Sequence, residues 1–170
     1  MYGQGKAMEL EEALTKVLRS YRRYYDLKAE HVEPPFAAEA EYHSHEEHYF
    51  LTKRAVIDEI ENHEIVYFAV VLELNSENFA VLDRTAWERG IAKAKPSIHH
   101  QSTDVSLVIL AERIEEDLFR RIKKTKHSVS YKRLLHGYSN YHLIAMELSS
   151  GRIVYNRLGY SMKRILKSIR

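Results

Sequence analysis

One ten-residue stretch, Ile65-Val66-Tyr67-Phe68-Ala69-Val70-Val71-Leu72-Glu73-Leu74, constrains the fold of this chain more than any other. As a strand it presents Ile65, Tyr67, Ala69 and Val71 to one side and Val66, Phe68, Val70, Leu72 and Leu74 to the other. Both faces are apolar, so both need cover, and the strand belongs inside a sheet. Val105 to Ala111 has the same two-faced character and predicts a second interior strand, with Phe68 and Leu107 in the core.

The remaining segments supply the cover. Leu10, Leu14, Val17, Tyr21 and Tyr24 recur at helical spacing and predict an amphipathic helix over 8–27, with residues 1–7 as a flexible N-terminal tail. Pro34 and Pro35 end any helical path. Alternation then predicts strands over 36–43 and 48–60, joined through Ser44-His45-Glu46-Glu47, and the polar Glu61-Asn62-His63-Glu64 reads as a second break before the central strand. Asn75 or Ser76 is placed to cap a helix that ends before Pro96. Residues 97–103 form a polar connection into the second interior strand. A helix from Glu112, with acids early and bases late, leads to a strand over 128–135, and Val105–Ala111, helix and 128–135 read as a parallel β-α-β crossover. A hairpin, 141–148 and 152–158 around Ser149-Ser150-Gly151, and a short helix with Met162, Ile165, Leu166 and Ile169 complete the chain. The expected fold class is α+β: a single mixed sheet with helices packed on it, in the order α-βββ-α-β-α-βββ-α. A length of 170 residues suits one hydrophobic core, so residues 1–170 read as one domain.

Composition excludes several classes of function. With no cysteine there is no disulfide framework, thiolate nucleophile or Cys-ligated zinc, and six scattered glycines form neither a phosphate loop nor GxGxxG. No 18-residue run is free of charge and the N-terminus has no apolar leader, so the expectation is a soluble, cytoplasmic protein with no membrane partner. No feature of the sequence requires a cofactor.

Net charge is +2 but unevenly spread: residues 1–111 carry 12 Lys/Arg against 19 Asp/Glu, and residues 112–170 carry 14 against 5. The basic third therefore yields a candidate anion- or nucleic-acid-binding set, Arg120, Arg121, Lys123, Lys124, Lys163, Arg164 and Lys167. A helix C-terminus also collects Lys and Arg for stability alone. The two basic groups form one patch only if both helix ends emerge on the same side of the sheet.

His43, His45 and His48, interleaved with Glu46 and Glu47, are the candidate metal ligands, because imidazole suits zinc, nickel or iron and a hairpin would bring His43 and His48 together. Glu39 and Glu41 share one strand face and form a second carboxylate pair, for which a solvated face is the plainer reading. The order α-βββ-α-β also resembles the core of restriction-endonuclease-like nucleases. Asp58 would then be the first acid, but neither Glu64-Ile65-Val66 nor Glu73-Leu74-Asn75 supplies the lysine that the resemblance implies.

Tyr24-Tyr25-Asp26, the run Tyr49-Phe50-Leu51-Thr52-Lys53-Arg54-Ala55 and the late hairpin from Leu148 to Asn156 resemble a family of small bacterial proteins that share a conserved domain of unknown function. The resemblance implies a bacterial, cytosolic origin and no active-site residue. The expected function is therefore a noncatalytic binding domain with a protein or anionic partner, or a homodimer given twelve tyrosines, with two alternatives: a metal-dependent hydrolase or nuclease, and a nucleic-acid-binding module.

Overall fold

A seven-stranded mixed sheet organises the computed structural model, which describes residues 2–49, 56–95, 100–132, 135 and 137–169. The elements are α1 (Tyr2–Tyr21), β1 (Asp26–Lys28), β2 (Ala38–Tyr49), β3 (Val56–Leu74), α2 (Ser76–Lys93), β4 (His100–Ile114), α3 (Glu116–Lys124), β5 (Ser128–Ser130), β6 (Tyr138–Glu147), β7 (Arg152–Tyr155) and, after a 3-10 turn over Gly159–Met162, α4 (Lys163–Lys167). The order α-βββ-α-β-α-βββ-α and the α+β class are those expected. The strands lie in the order β1-β2-β3-β4-β6-β5, and β7 pairs with β6.

β3 and β4 are interior parallel neighbours, and the alternation of β3 divides the core in two. Ile65, Tyr67 and Ala69 pack with Phe79, Leu82 and Ala86 of α2 and with Leu118 and Ile122 of α3. Val66 and Phe68 pack with Leu10, Val17 and Tyr21 of α1 and with Leu166 of α4. At its end the strand departs from strict alternation as the chain turns into α2: Leu72 is 52% exposed, and Leu74 joins the Phe79 side. Asn75 makes that turn. Its side chain accepts from the backbone N–H of Glu77 and Asn78, and the Asn78 side chain accepts from Asn75 N–H, a reciprocal cap. Gly90 lets α2 lie directly on β4, since a Cβ there would sit 2.5 Å from the Val105 side chain.

Several boundaries differ from the expectation, each for a physical reason. α1 begins at Tyr2, so residues 2–7 form its first turns, and Lys6 pairs with Glu112 of β4. It ends at Tyr21 rather than near Leu27, and Asp26–Lys28 becomes an edge strand antiparallel to β2. The connection expected at 44–47 lies within β2, and the break expected at 61–64 lies within β3. His43 pairs with His63, Ser44 with Asn62 and His45 with Glu61, so the two runs are backbone partners in one antiparallel ladder. Neither run holds the Gly or Asn-Gly that a tight turn demands. The segment 128–135 is not the parallel partner of β4. That partner is β6, which is apolar on both faces over residues 143–146, whereas Ser128-Val129-Ser130 has a single apolar residue and takes the edge, antiparallel to β6. No helix among the described residues is long and apolar enough to cross a membrane.

Candidate functional site

The outer edge of β6 is paired at both ends and open in the middle. β5 covers Tyr138 to Asn140 and β7 covers Ile144 to Glu147. The backbone between them is satisfied by one residue, Asn156, which is 4% exposed and whose backbone N–H donates to the Leu143 carbonyl at 3.0 Å. Its Nδ2 donates to the carbonyls of Tyr141 (2.9 Å) and Thr125 (3.1 Å), and its Oδ1 accepts from the N–H of Leu143 (3.1 Å) and Gly159 (2.8 Å). All four bonds of a carboxamide are thereby used, and Asn156 ties β6 to the end of α3 and to the 3-10 turn. Gly159 makes this closeness feasible, because a Cβ there would lie 2.1 Å from the Leu143 carbonyl oxygen.

Over this break lies a cavity of about 460 Å³, lined by Lys123, Lys124, Lys126, His127 and Arg157, with Tyr141 and Leu158 among its apolar walls. None of the four Lys/Arg side chains is ion-paired among the described residues. Asp83, the carboxylate that contacts the lining, is held by His127 at 3.1 Å. His127 is itself fixed on three sides. Its Nε2 donates to both Asp83 oxygens at 3.1 Å, its ring stacks on Trp87 at 5.4 Å, and Tyr141 meets it edge-on at 4.9 Å. Burial, reinforced by Asp83, holds the Tyr141 phenol well above its usual pKa, so it stays neutral.

The expected anion-binding residues divide. Lys123 and Lys124 line the cavity, but Arg121 turns away to Ser76 Oγ (2.8 Å) and lies over the Phe79 ring. Arg120 is exposed on α3. Lys163 donates to the Tyr155 hydroxyl at 3.0 Å, while Arg164 and Lys167 are exposed on α4. Leu118 and Ile122 anchor α3 in the core on one face of the sheet, and Met162 and Leu166 anchor α4 on the other. The two basic helices are therefore on opposite faces and do not form one patch.

For the expected metal ligands, the backbone places His43, His45 and His48 along β2, and the turn that would have folded His48 back on His43 is instead strand. Their side chains, like that of Asp58, lie outside the described residues, as does all of 50–55. Among the described residues, no group of three or more His, Asp or Glu is arranged to hold a metal ion. Glu39 and Glu41 are not a free pair: Lys93 stands 3.6 and 3.5 Å from them, and His63 is 2.7 Å from Glu41.

A second polar constellation, on the α1 face, carries no recognisable spacing in the sequence. Glu64, Asp104, Ser106 and His142 come together because β3, β4 and β6 are parallel and in register there. Glu64 accepts from Tyr25 Oη at 2.5 Å and from Ser106 Oγ at 3.1 Å, and His142 Nε2 is 3.6 Å from Asp104. Burial alone lowers the His142 pKa, but Asp104, with Glu64 beyond it, more than offsets this and leaves the imidazole above its ordinary value. Burial and the Glu64 carboxylate push the Tyr25 phenol up. The Tyr25 and Ser106 hydroxyls both donate to Glu64, whereas Asp104 Oδ1 is buried with no hydrogen-bond partner among the described residues, so this polar floor beneath the end of α1 is held by Glu64 and by the attraction between Asp104 and His142.

No curated protein and no solved structure matches this chain. A family model does match, over residues 9–168, and covers every helix and strand described above except the first turns of α1. The chain belongs to that family, the domain of unknown function DUF8052.

Proposed function

We propose that this domain binds a small phosphorylated ligand in the cavity at the broken edge of β6. The observation that carries the reading is Arg157. A helix dipole alone accounts for lysines around the end of α3, so Lys123, Lys124 and Lys126 could be there for stability. Arg157 comes from a different element, the loop after β7, and converges on the same cavity with no carboxylate partner among the described residues. Four unpaired cations around one concavity repel one another, and an anion relieves that repulsion. Guanidinium and ammonium groups are also the usual partners of phosphate oxygens. A volume of about 460 Å³ suits a small molecule, and the separation of the α3 and α4 bases onto two faces favours a compact anion over an extended polyanion.

Thermal unfolding tests this. Pyrophosphate or a nucleoside diphosphate at a hundredfold excess over its Kd should raise Tm by about 5 °C or more. The double variant Lys123→Ala/Lys124→Ala, altered only at exposed side chains, should keep its own Tm and lose most of that shift. Equal shifts in the variant and the parent would remove the cavity as the binding site.

A further inference from the structure

We propose that His127 accepts a phosphoryl group from a phosphorylated small molecule held in the basic cavity, an activity that rests on the anion-binding reading above. His127 is built as a reacting histidine is built. Because an ionised carboxylate only accepts, the bond from Nε2 to Asp83 places the ring proton on Nε2 and leaves the lone pair on Nδ1. Nδ1 has no hydrogen-bond partner among the described residues. His127 is among the residues that line the cavity, its side chain is 31% exposed, and Trp87 and Tyr141 pack against its ring.

The step balances without any further reactant. The Nδ1 lone pair forms the N–P bond as the bond from phosphorus to the donor's leaving oxygen breaks, and that oxygen departs with the bonding electrons. Positive charge develops on the imidazole and is met by Asp83 through Nε2–H, the orienting role a carboxylate has behind a catalytic histidine. Lys123, Lys124, Lys126 and Arg157 would meet the charge on the phosphoryl oxygens in the transition state. With an acyl phosphate as donor the leaving group is a carboxylate, which needs no proton.

The test uses the whole chain with acetyl phosphate as the donor, and mass spectrometry of the intact protein and its peptides under non-acidic conditions. The expected result is one phosphoryl group per chain, on the peptide containing His127, lost on brief acid treatment as an N–P bond should be. His127→Asn should abolish the label. Asp83→Asn should slow labelling by about tenfold or more, with little change in the donor concentration giving half-maximal rate. Arg157→Ala should instead raise that concentration. If His127→Asn proves unfolded, the labelled position in the parent protein and the Asp83→Asn rate decide. Pyrophosphate binding without any label would overturn phosphoryl acceptance and leave the binding reading standing. Neither binding nor label would overturn both, and label on another residue would overturn the role of His127.

Discussion

Asn156 shows how much one side chain can organise. It closes the backbone of β6 where two short strands leave it uncovered, and it does so next to the cavity. Asn156→Ala would strand a buried carbonyl at Tyr141 and a buried N–H at Leu143, at a cost on the order of 3 kcal/mol in urea-unfolding stability. Asn156→Asp should also destabilise, since a carboxylate cannot donate to Tyr141 and Thr125. The polar floor on the other face makes a separate residue-level prediction. His142 has a folded-state pKa above its unfolded value, so its contribution is fully present below the unfolded value, about 6.5, and is lost as pH rises through the raised one. Unfolding of His142→Gln beside the parent protein should therefore show a stability difference that is full below about pH 6.5 and shrinks as pH rises above it. Lys123 and Lys124 are legible in the sequence because a run of bases stands out. Asn156 and Arg157 are not, because single polar letters after a strand carry no period, and only the path of the backbone around the sheet edge gives them a task.

At the scale of elements, the interior strands were the most readable part, because apolar residues on two faces leave a strand one place to go. Phe68 and Leu107 are 1% and 0% exposed, on opposite faces of neighbouring strands. Phe68→Ala should cost about 3–5 kcal/mol and Leu107→Ala about 2–5 kcal/mol, by denaturant titration, through lost burial and the cavity left behind. Strand ends were harder to read. Polarity in 44–47 and 61–64 marks a ladder of polar side chains as readily as it marks a turn, and nothing short of the pairing itself distinguishes the two. The edge strand β5 is similarly opaque: three residues with one apolar side chain owe their conformation to β6, not to their own sequence.

At the scale of the whole molecule, the charge asymmetry along the chain does not become one basic surface, because α3 and α4 cover different faces of the sheet. What does converge is a smaller group, drawn from the end of α3 and the loop after β7, where two covering strands fall short of one another on β6. The proposed function thus rests on a topological gap, a place where the backbone leaves the sheet edge and lets side chains from separate elements meet. The most direct measurement is calorimetric titration of pyrophosphate into the parent protein, Arg157→Ala and Arg164→Ala at low ionic strength. Saturable binding to the parent, about fivefold to tenfold weaker in Arg157→Ala and unchanged in Arg164→Ala on the opposite face, is the predicted result. No saturable heat with the parent protein, or equal affinity in the parent and Arg157→Ala, would contradict the account.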